Sequence, residues 1–322
     1  MRVLVTGSAG FIGSPVVDRL RVQGHDVVPY DAVHGDDVLD ADRLAAAMAG
    51  STAVVHLAGK VGLERSVDDL DEYVAANSLG TARVLRIAAQ SGIDRLVLAS
   101  SMVVYGEGRY LCVEHGVVSP GVRRTADLDA GRFEPPCPRC GEPLASGLVP
   151  ESAALDPRSA YAATKVHLEH LAAVWATHTG GVAVALRYHN VYGPGMPTNT
   201  PYAGVTSLFR AALGRGEAPR VFEDGRQRRN FVHVHDVADA TVAALTAPLD
   251  PGVTPVNVGS DTVTTVGEMA SALAAALDGP APVVTGEYRV GDVRHVTADC
   301  SAASTLLGWT SRIALRDGLT DL

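Results

Sequence analysis

No apolar run among these 322 residues approaches the ~20 that a membrane span needs, which excludes a helical membrane protein. The apolar start, Met1 to Val5, breaks at Thr6-Gly7; it is too short for a signal peptide and reads as a strand, so the expected location is cytoplasmic. Basic residues form no runs and the net charge is −9, which argues against a nucleic-acid partner while leaving room for local phosphate sites. Cysteine is scarce as well. Of the four, Cys112, Cys137 and Cys140 fall in one segment and Cys300 stands apart, a clustering that favours a metal over disulfides.

What the chain does have is alternation. Short runs such as Val3-Leu4-Val5, Val27-Val28, Val54 to Leu57 and Leu96-Val97-Leu98 are almost wholly apolar, as strands buried on both faces are. Helix-like stretches lie between them near 14–23, 41–48 and 72–90, and another is expected over 159–178, leading to a strand at Val182 to Leu186. The pattern predicts an α/β chain with a Rossmann-type, doubly wound parallel sheet. Residues 1–186 form the main domain and 187–322 mainly a smaller one, with 231–260 (Phe231–Val237 and Val256–Val258) returning to the sheet and the end pieces forming a lid over the strands. Residues 109–149 break the rhythm with Gly, Pro, Arg and Cys, and a loop of that length needs a staple. Cys112-x-x-His115 and Cys137-x-x-Cys140, 21 residues apart, suit one tetrahedral structural zinc in a ribbon-like insertion.

Thr6-Gly7-Ser8-Ala9-Gly10-Phe11-Ile12-Gly13 follows the first strand and opens the first helix. Gly7 allows the tight turn, Gly10 the approach of a pyrophosphate and Gly13 close helix–strand packing, while the helix N-terminus offers amides to phosphate. Asp31 closes the second strand 18 residues after Gly13, where a carboxylate accepts from both ribose hydroxyls and repels a 2′-phosphate. The expected cofactor is therefore NAD. Tyr161 and Lys165 share a helix face, and Ser101 ends the fourth strand. A phenol beside an ammonium is a general acid/base, and the serine hydroxyl can share its substrate oxygen.

These motifs resemble those of the extended short-chain dehydrogenase/reductases, the nucleotide-sugar epimerases and dehydratases, over essentially the whole chain. Asn77-x-x-Gly80-Thr81 is similar to the family's helix start, His56-Leu57-Ala58-Gly59 to its cofactor-side strand end, and Asp37-Val38 to the pair that contacts adenine. Leu186 to Pro194 resembles the segment whose asparagine, here Asn190, touches the nucleotide diphosphate; His189 stands where Phe is usual and reads as packing first. Arg229 to Val237 and Arg289 to Val293, including Asp292, resemble the blocks that bring arginines to the diphosphate, a task suited to a guanidinium fork. The resemblance also implies a homodimer through helices near 77–90 and 159–178.

The family's dehydratases carry acidic residues directly after the serine or threonine. Here Met102 and Val103 stand there, and neither transfers a proton, so a 4-epimerase or a 4-ketoreductase remains. Met102 is then a substrate contact beside Ser101 and Tyr161. The segments from Glu107 to Cys112, Cys137 to Gly141, Thr200 to Val205 and Phe222 to Gln227 are similar to a subgroup that interconverts dTDP-L-rhamnose and dTDP-6-deoxy-L-talose. That similarity implies a dTDP-sugar rather than a UDP-sugar substrate. An NAD(P)H-dependent nucleotide-sugar 4-ketoreductase, a UDP-hexose 4-epimerase and a non-catalytic NAD sensor remain the alternatives.

Overall fold

The computed structural model describes residues 1–62, 66–197 and 204–322, so most of the Thr200–Val205 similarity lies outside the described residues. β1 (Arg2–Thr6) leads into α1 (Gly13–Val22), β2 (Asp26–Tyr30) into α2 (Ala41–Met48), and β3 (Ala53–His56) into a composite helix. That helix begins as α3 (Leu70–Tyr73), widens to a π-helical turn over Val74–Leu79 and continues as α4 (Gly80–Gln90). After β4 (Arg95–Ser101) the insertion supplies β5 (Arg109–Cys112), β6 (Gly116–Val118), the short α5 (Thr125–Asp129) and β7 (Ala145–Gly147). α6 (Ala160–Thr179) and β8 (Val182–Tyr188) restore the rhythm. The smaller lobe then holds β9 (Asn190–Tyr192), α7 (Val205–Gly214), β10 (Arg220–Val221) and β11 (Arg228–Arg229). β12 (Phe231–His233), α8 (Val234–Thr246), β13 (Gly252–Val258), β14 (Thr264–Thr265) and, directly after it, α9 (Val266–Ala276) follow.

The central sheet has six parallel strands in the order β13-β8-β4-β3-β1-β2. Its middle strands are apolar without alternation because helices cover both faces. Val16, Leu20, Val237 and Leu245 bring α1 and α8 onto one face, and Leu44, Val84, Ile87, Leu168 and Trp175 bring α2, α4 and α6 onto the other. Chain order reverses between β1 and β3, which opens a crevice at their carboxyl ends, the place where such sheets bind ligands. Among the described residues no helix is long and apolar enough to cross a membrane.

The structure differs from the sequence pattern in the return to the sheet. Phe231–His233 does not join it; β12 pairs in parallel with β9 in a separate two-stranded ribbon. Residues 234–237 begin α8, whose first turn is capped by the His233 ring accepting from the His235 amide at 3.3 Å. Only β13 re-enters, at the edge beside β8. The ribbon and α9 instead enclose a second apolar cluster of Tyr192, Phe209, Phe231, Met269 and Leu273, the core of the smaller lobe. The insertion folds as the antiparallel sheet β6-β5-β7 over a few buried side chains, Tyr110, Cys112, Val118, Cys137 and Leu144.

Two buried histidines set an acid limit. His56 sits between Thr6 Oγ1 at 2.7 Å and Thr81 Oγ1 at 3.0 Å, and burial, with the Lys165 charge nearby, pushes its pKa down to about 3. Burial does the same to His189, also to about 3. An unfolded histidine protonates near 6.5, so between pH 6.5 and 3 the unfolded chain binds more protons, and stability is lost as pH falls through that window. We expect unfolding free energy to drop between pH 7 and pH 5 by roughly 2 kcal/mol per histidine. Urea titrations at the two pH values check this, with His189→Asn flattening part of the slope; identical midpoints would contradict it.

Candidate functional site

The crevice at the switch point is lined by the glycine turn. Gly7 follows β1 in the left-handed region at φ 69, and a Cβ there would stand 2.7 Å from the Ala58 amide nitrogen. A Cβ on Gly13 would stand 1.9 Å from the Gly7 carbonyl oxygen, so α1 starts this close to the strand only with glycine. Phe11 and Ile12 are half-buried at the helix start, and the turn before them is held closed by its own amides, Gly7 donating to Tyr30 O at 2.9 Å and Gly10 to Gly7 O at 3.1 Å. Asp31 braces the turn from β2: one carboxylate oxygen accepts from the Ala9 amide at 2.8 Å and the other from Val33 at 3.0 Å. Each keeps lone pairs for ribose hydroxyls.

Leu57, Ala58 and Gly59 continue from β3 along the same crevice, and Asp37 and Val38 lie at its β2 side. Val38 packs beneath Gly80, where a Cβ would come within 2.9 Å of it. Asn77 sits in the π-helical turn, a feature frequent at functional sites. Its amide accepts from Lys60 N at 2.7 Å and donates to Lys60 O at 3.0 Å and Thr164 Oγ1 at 2.9 Å, tying the floor of the crevice to α6. The glycine turn, the helix terminus and the acid just after β2 together fit a dinucleotide diphosphate with an unphosphorylated 2′-hydroxyl.

The Ser-Tyr-Lys group assembles next to this crevice. Ser101 ends β4 and its hydroxyl accepts from the Val103 amide at 3.4 Å, turning the chain into the 102–105 turn. Ser159 caps α6 by accepting from Ala162 N at 3.1 Å, which puts Tyr161 in the first turn and Lys165 one turn on. Burial pushes the Tyr161 phenol up to about 12, and a hydrogen bond with Ser101 pulls against that. Lys165 donates from Nζ to the Ala99 carbonyl at 2.7 Å and stands 5.6 Å from the Tyr161 ring centre. Burial lowers its pKa to about 8, while the Glu169 carboxylate opposes the shift. The chain has just two lysines, Lys60 and Lys165, and otherwise uses arginine for its cations.

Beneath this group lies a buried ion pair that sequence reading missed. Arg187 of β8 meets Glu169 of α6 through Nε at 3.0 Å and Nη2 at 2.7 Å. Ser100 donates to the same carboxylate at 2.5 Å, and Arg187 Nη1 donates to the Tyr105 hydroxyl at 2.8 Å and to Glu151 O at 2.9 Å. Glu169 stands one helical turn after Lys165, and that spacing was its available signal.

A cavity of about 500 Å³ lies between the sheet and the smaller lobe, lined by Met102 and Ala162, the chain neighbours of Ser101 and Tyr161. Met102, Val103 and Ala162 make its flank nearest the Ser-Tyr-Lys group, and Asn190, Arg229, Arg289 and Asp292 line it farther out. The buried Asn190 side-chain oxygen has no hydrogen-bond partner. Arg229 gives Nη1 to the Arg228 and Arg294 carbonyls and Nη2 to Val293 O, each at 2.8 Å, so it fixes its own wall before any ligand enters. Arg289 lays its guanidinium over the Phe222 ring at 5.5 Å. The wall also holds Arg158, which the sequence did not single out, and Glu223 and Gln227 of the Phe222–Gln227 segment, which it gave no site role of their own. Arg158 pairs with Asp156, and Gln227 donates to Phe222 O at 3.0 Å while its own carbonyl oxygen lacks a partner. The position of Arg158, three residues before Tyr161, was the signal available for it.

Cys112, His115, Cys137 and Cys140 converge, their ligand atoms all within 4.8 Å of one another. Cys112 Sγ lies 3.5 Å from His115 Nδ1 and 3.6 Å from Cys140 Sγ, and Cys137 Sγ lies 3.7 Å from His115 Nδ1. A tetrahedron with Zn–S near 2.3 Å and Zn–N near 2.0 Å has edges of about 3.8 Å between sulfurs and about 3.6 Å from sulfur to nitrogen, so the donor set fits zinc. Cys300 is remote from the cluster, and burial raises its thiol pKa to about 12.

Fold and site together define a Rossmann-type α/β protein with Ser101, Tyr161 and Lys165 grouped beside the crevice. The NAD dependent epimerase/dehydratase family model matches residues 3–120 and 140–259, and the chain belongs to that family. The stretch between the two matched segments, 121–139, lies within the insertion, and residues 260–322 follow the second segment. A dTDP-L-rhamnose 4-epimerase of Burkholderia thailandensis is 32% identical across 100% of this chain and 93% of its own. A UDP-glucose 4-epimerase of Mycolicibacterium smegmatis is 31% identical across 99% of this chain and 96% of its own. Among solved structures, MoeE5 in complex with UDP-glucuronic acid and NAD superimposes with a TM-score of 0.78 at 32% identity, covering 100% of this chain and 97% of that one.

Proposed function

We propose that this chain is an NAD-dependent nucleotide-sugar 4-epimerase whose substrate is a dTDP-6-deoxyhexose, dTDP-L-rhamnose above others. The observation that carries the reading is the Ser101-Tyr161-Lys165 group beside a cavity whose lining includes its chain neighbours Met102, Val103 and Ala162. No acid follows Ser101, which removes the proton donor that dehydration requires, and an apolar flank suits the methyl group of a 6-deoxyhexose. When bound along Gly7–Gly13, Asp31, Asp37-Val38, Leu57–Gly59 and Asn77, NAD supplies the electron acceptor and donor for sugar carbon 4.

The protein's own residues manage the proton and the geometry. Burial disfavours the Tyr161 phenolate, so the Lys165 ammonium provides the nearby positive charge that ionising it demands. Tyr161 takes the proton from the 4-hydroxyl as that carbon is oxidised and returns it after re-reduction, and Ser101 hydrogen-bonds the same oxygen throughout. Asn190, Arg229 and Arg289 hold the diphosphate while the 4-keto sugar turns to present its other face; Asp292 borders that site. A homodimer through α4 and α6 belongs to the same reading, with Leu79 and Val174 exposed near and on those helices.

Incubation with dTDP-L-rhamnose followed by NMR tests this. An equilibrium mixture containing the 4-epimer is expected with no net NADH, and Tyr161→Phe should cut turnover by about 100-fold or more while sparing sugar-nucleotide binding. A UDP-hexose turned over in preference moves the reading to a UDP-sugar epimerase, which the likeness to the MoeE5 complex favours. Stoichiometric consumption of reduced cofactor with a 4-keto sugar makes it a reductase, and no conversion at all by NAD-loaded protein makes it a sensor.

One structural zinc on Cys112, His115, Cys137 and Cys140 completes the proposal. Four protein ligands leave no position for a catalytic water, so the metal's task is to staple the insertion. Elemental analysis should find one zinc per chain, and Cys140→Ser should lower both zinc content and thermal stability. Protein purified from metal-supplemented culture without zinc would overturn the assignment.

A further inference from the structure

We propose that Arg123, carried by the insertion, is a positioning residue for the substrate: it neutralises Glu223 and pins the backbone at Asp292, so that the cavity wall bearing Arg229 and Arg289 can accept a nucleoside diphosphate. The proposal rests on the nucleotide-sugar reading and adds a role for a segment that the family model does not match.

The insertion does not hang free. Arg123 is 4% exposed, and its Nη1 meets Glu223 Oε1 at 2.8 Å while its Nη2 donates to the Asp292 carbonyl at 2.6 Å. Nη1 also donates to Phe133 O at 3.3 Å, and Nε lies 3.7 Å from Glu107 Oε1. Glu223 and Asp292 both line the cavity. Glu223 is buried in the left-handed region at φ 53, a conformation that L side chains hold only when their surroundings fix it. Its other carboxylate oxygen accepts from Arg294 Nη1 at 2.8 Å. Arg294 has no exposure and also binds Asp224 and the insertion's Glu134, which reaches His295 as well.

Charge decides what this arrangement does. Five carboxylates, Glu107, Glu134, Glu223, Asp224 and Asp292, stand among five guanidiniums, Arg123, Arg158, Arg229, Arg289 and Arg294. Removing Arg123 leaves four guanidiniums against five acids, and leaves Glu223 one guanidinium partner instead of two at the cavity wall where an anionic diphosphate must lie. Arg294 still partners Glu223, so the loss falls first on ligand affinity. A hydrophobic replacement therefore acts on binding and leaves the Ser-Tyr-Lys group, on the other flank of the cavity, in place.

The test titrates dTDP and UDP into NAD-loaded, full-length protein by calorimetry, with zinc and NAD content measured alongside. Arg123→Met should weaken binding of the preferred nucleotide by about tenfold or more and raise KM to match, with kcat within about threefold and both contents unchanged. Adding Glu223→Gln to Arg123→Met should recover most of that affinity, which a merely structural role for Arg123 would not produce. Unchanged affinity in Arg123→Met, or no recovery in the double variant, overturns the proposal while leaving the nucleotide-sugar reading intact. If Arg123→Met does not fold, Arg123→Lys decides: affinity within about threefold of the parent supports the charge role, and a tenfold loss overturns it. Failure of the parent protein to bind either nucleotide removes the nucleotide-sugar reading and this proposal with it.

Discussion

The buried pairing of Glu169 with Arg187 is the interaction on which the site's geometry hangs. It joins α6, which bears Tyr161 and Lys165, to β8, from whose end Asn190 follows. Through Ser100 it reaches the strand end that carries Ser101, and through Tyr105 it reaches Asn257 of β13 at 2.8 Å. A buried ion pair of this kind is weak evidence for stability, because desolvation offsets its attraction, yet loss of one partner costs about 3–5 kcal/mol by stranding the other charge. What the pair contributes here is position. It also places a carboxylate one turn from Lys165, and among the causes acting on that ammonium this one alone favours its charged form.

A second set of buried charges works at the far side of the cavity. Arg294, with no exposure, gathers Glu134, Glu223 and Asp224, and thereby closes the insertion against the smaller lobe. The insertion's own apolar core is a handful of side chains, so it depends on this network and on the Cys/His cluster for its shape. Two polar frames thus meet across one cavity: one orients the acid/base group and the other sets the charge of the opposing wall.

Much of this was legible in the chain. Continuous apolar runs gave the central strands, since only strands covered on both faces dispense with polar residues, and the x-x spacings of Cys112, His115, Cys137 and Cys140 anticipated ligand atoms that converge in space. Phe231–Val237 misled because a short apolar run reads alike whether it joins a sheet, pairs in a ribbon or opens a helix. Arg123 and Glu134 stayed hidden for a different reason: their partners lie up to 169 residues away in sequence, and no local pattern encodes a buried charge pair between distant segments. Arg229 shows the same limit. Its motif pointed to phosphate, but three of its donor bonds go to neighbouring carbonyls.

The most direct test of the proposed epimerisation follows one atom. A dTDP-6-deoxyhexose carrying deuterium at carbon 4 is incubated with NAD-loaded protein in ordinary water until epimers equilibrate. Transient oxidation and re-reduction at that carbon within one closed site predicts that both epimers keep the label at carbon 4. Its replacement by solvent hydrogen, or its appearance in free reduced cofactor, would contradict the account.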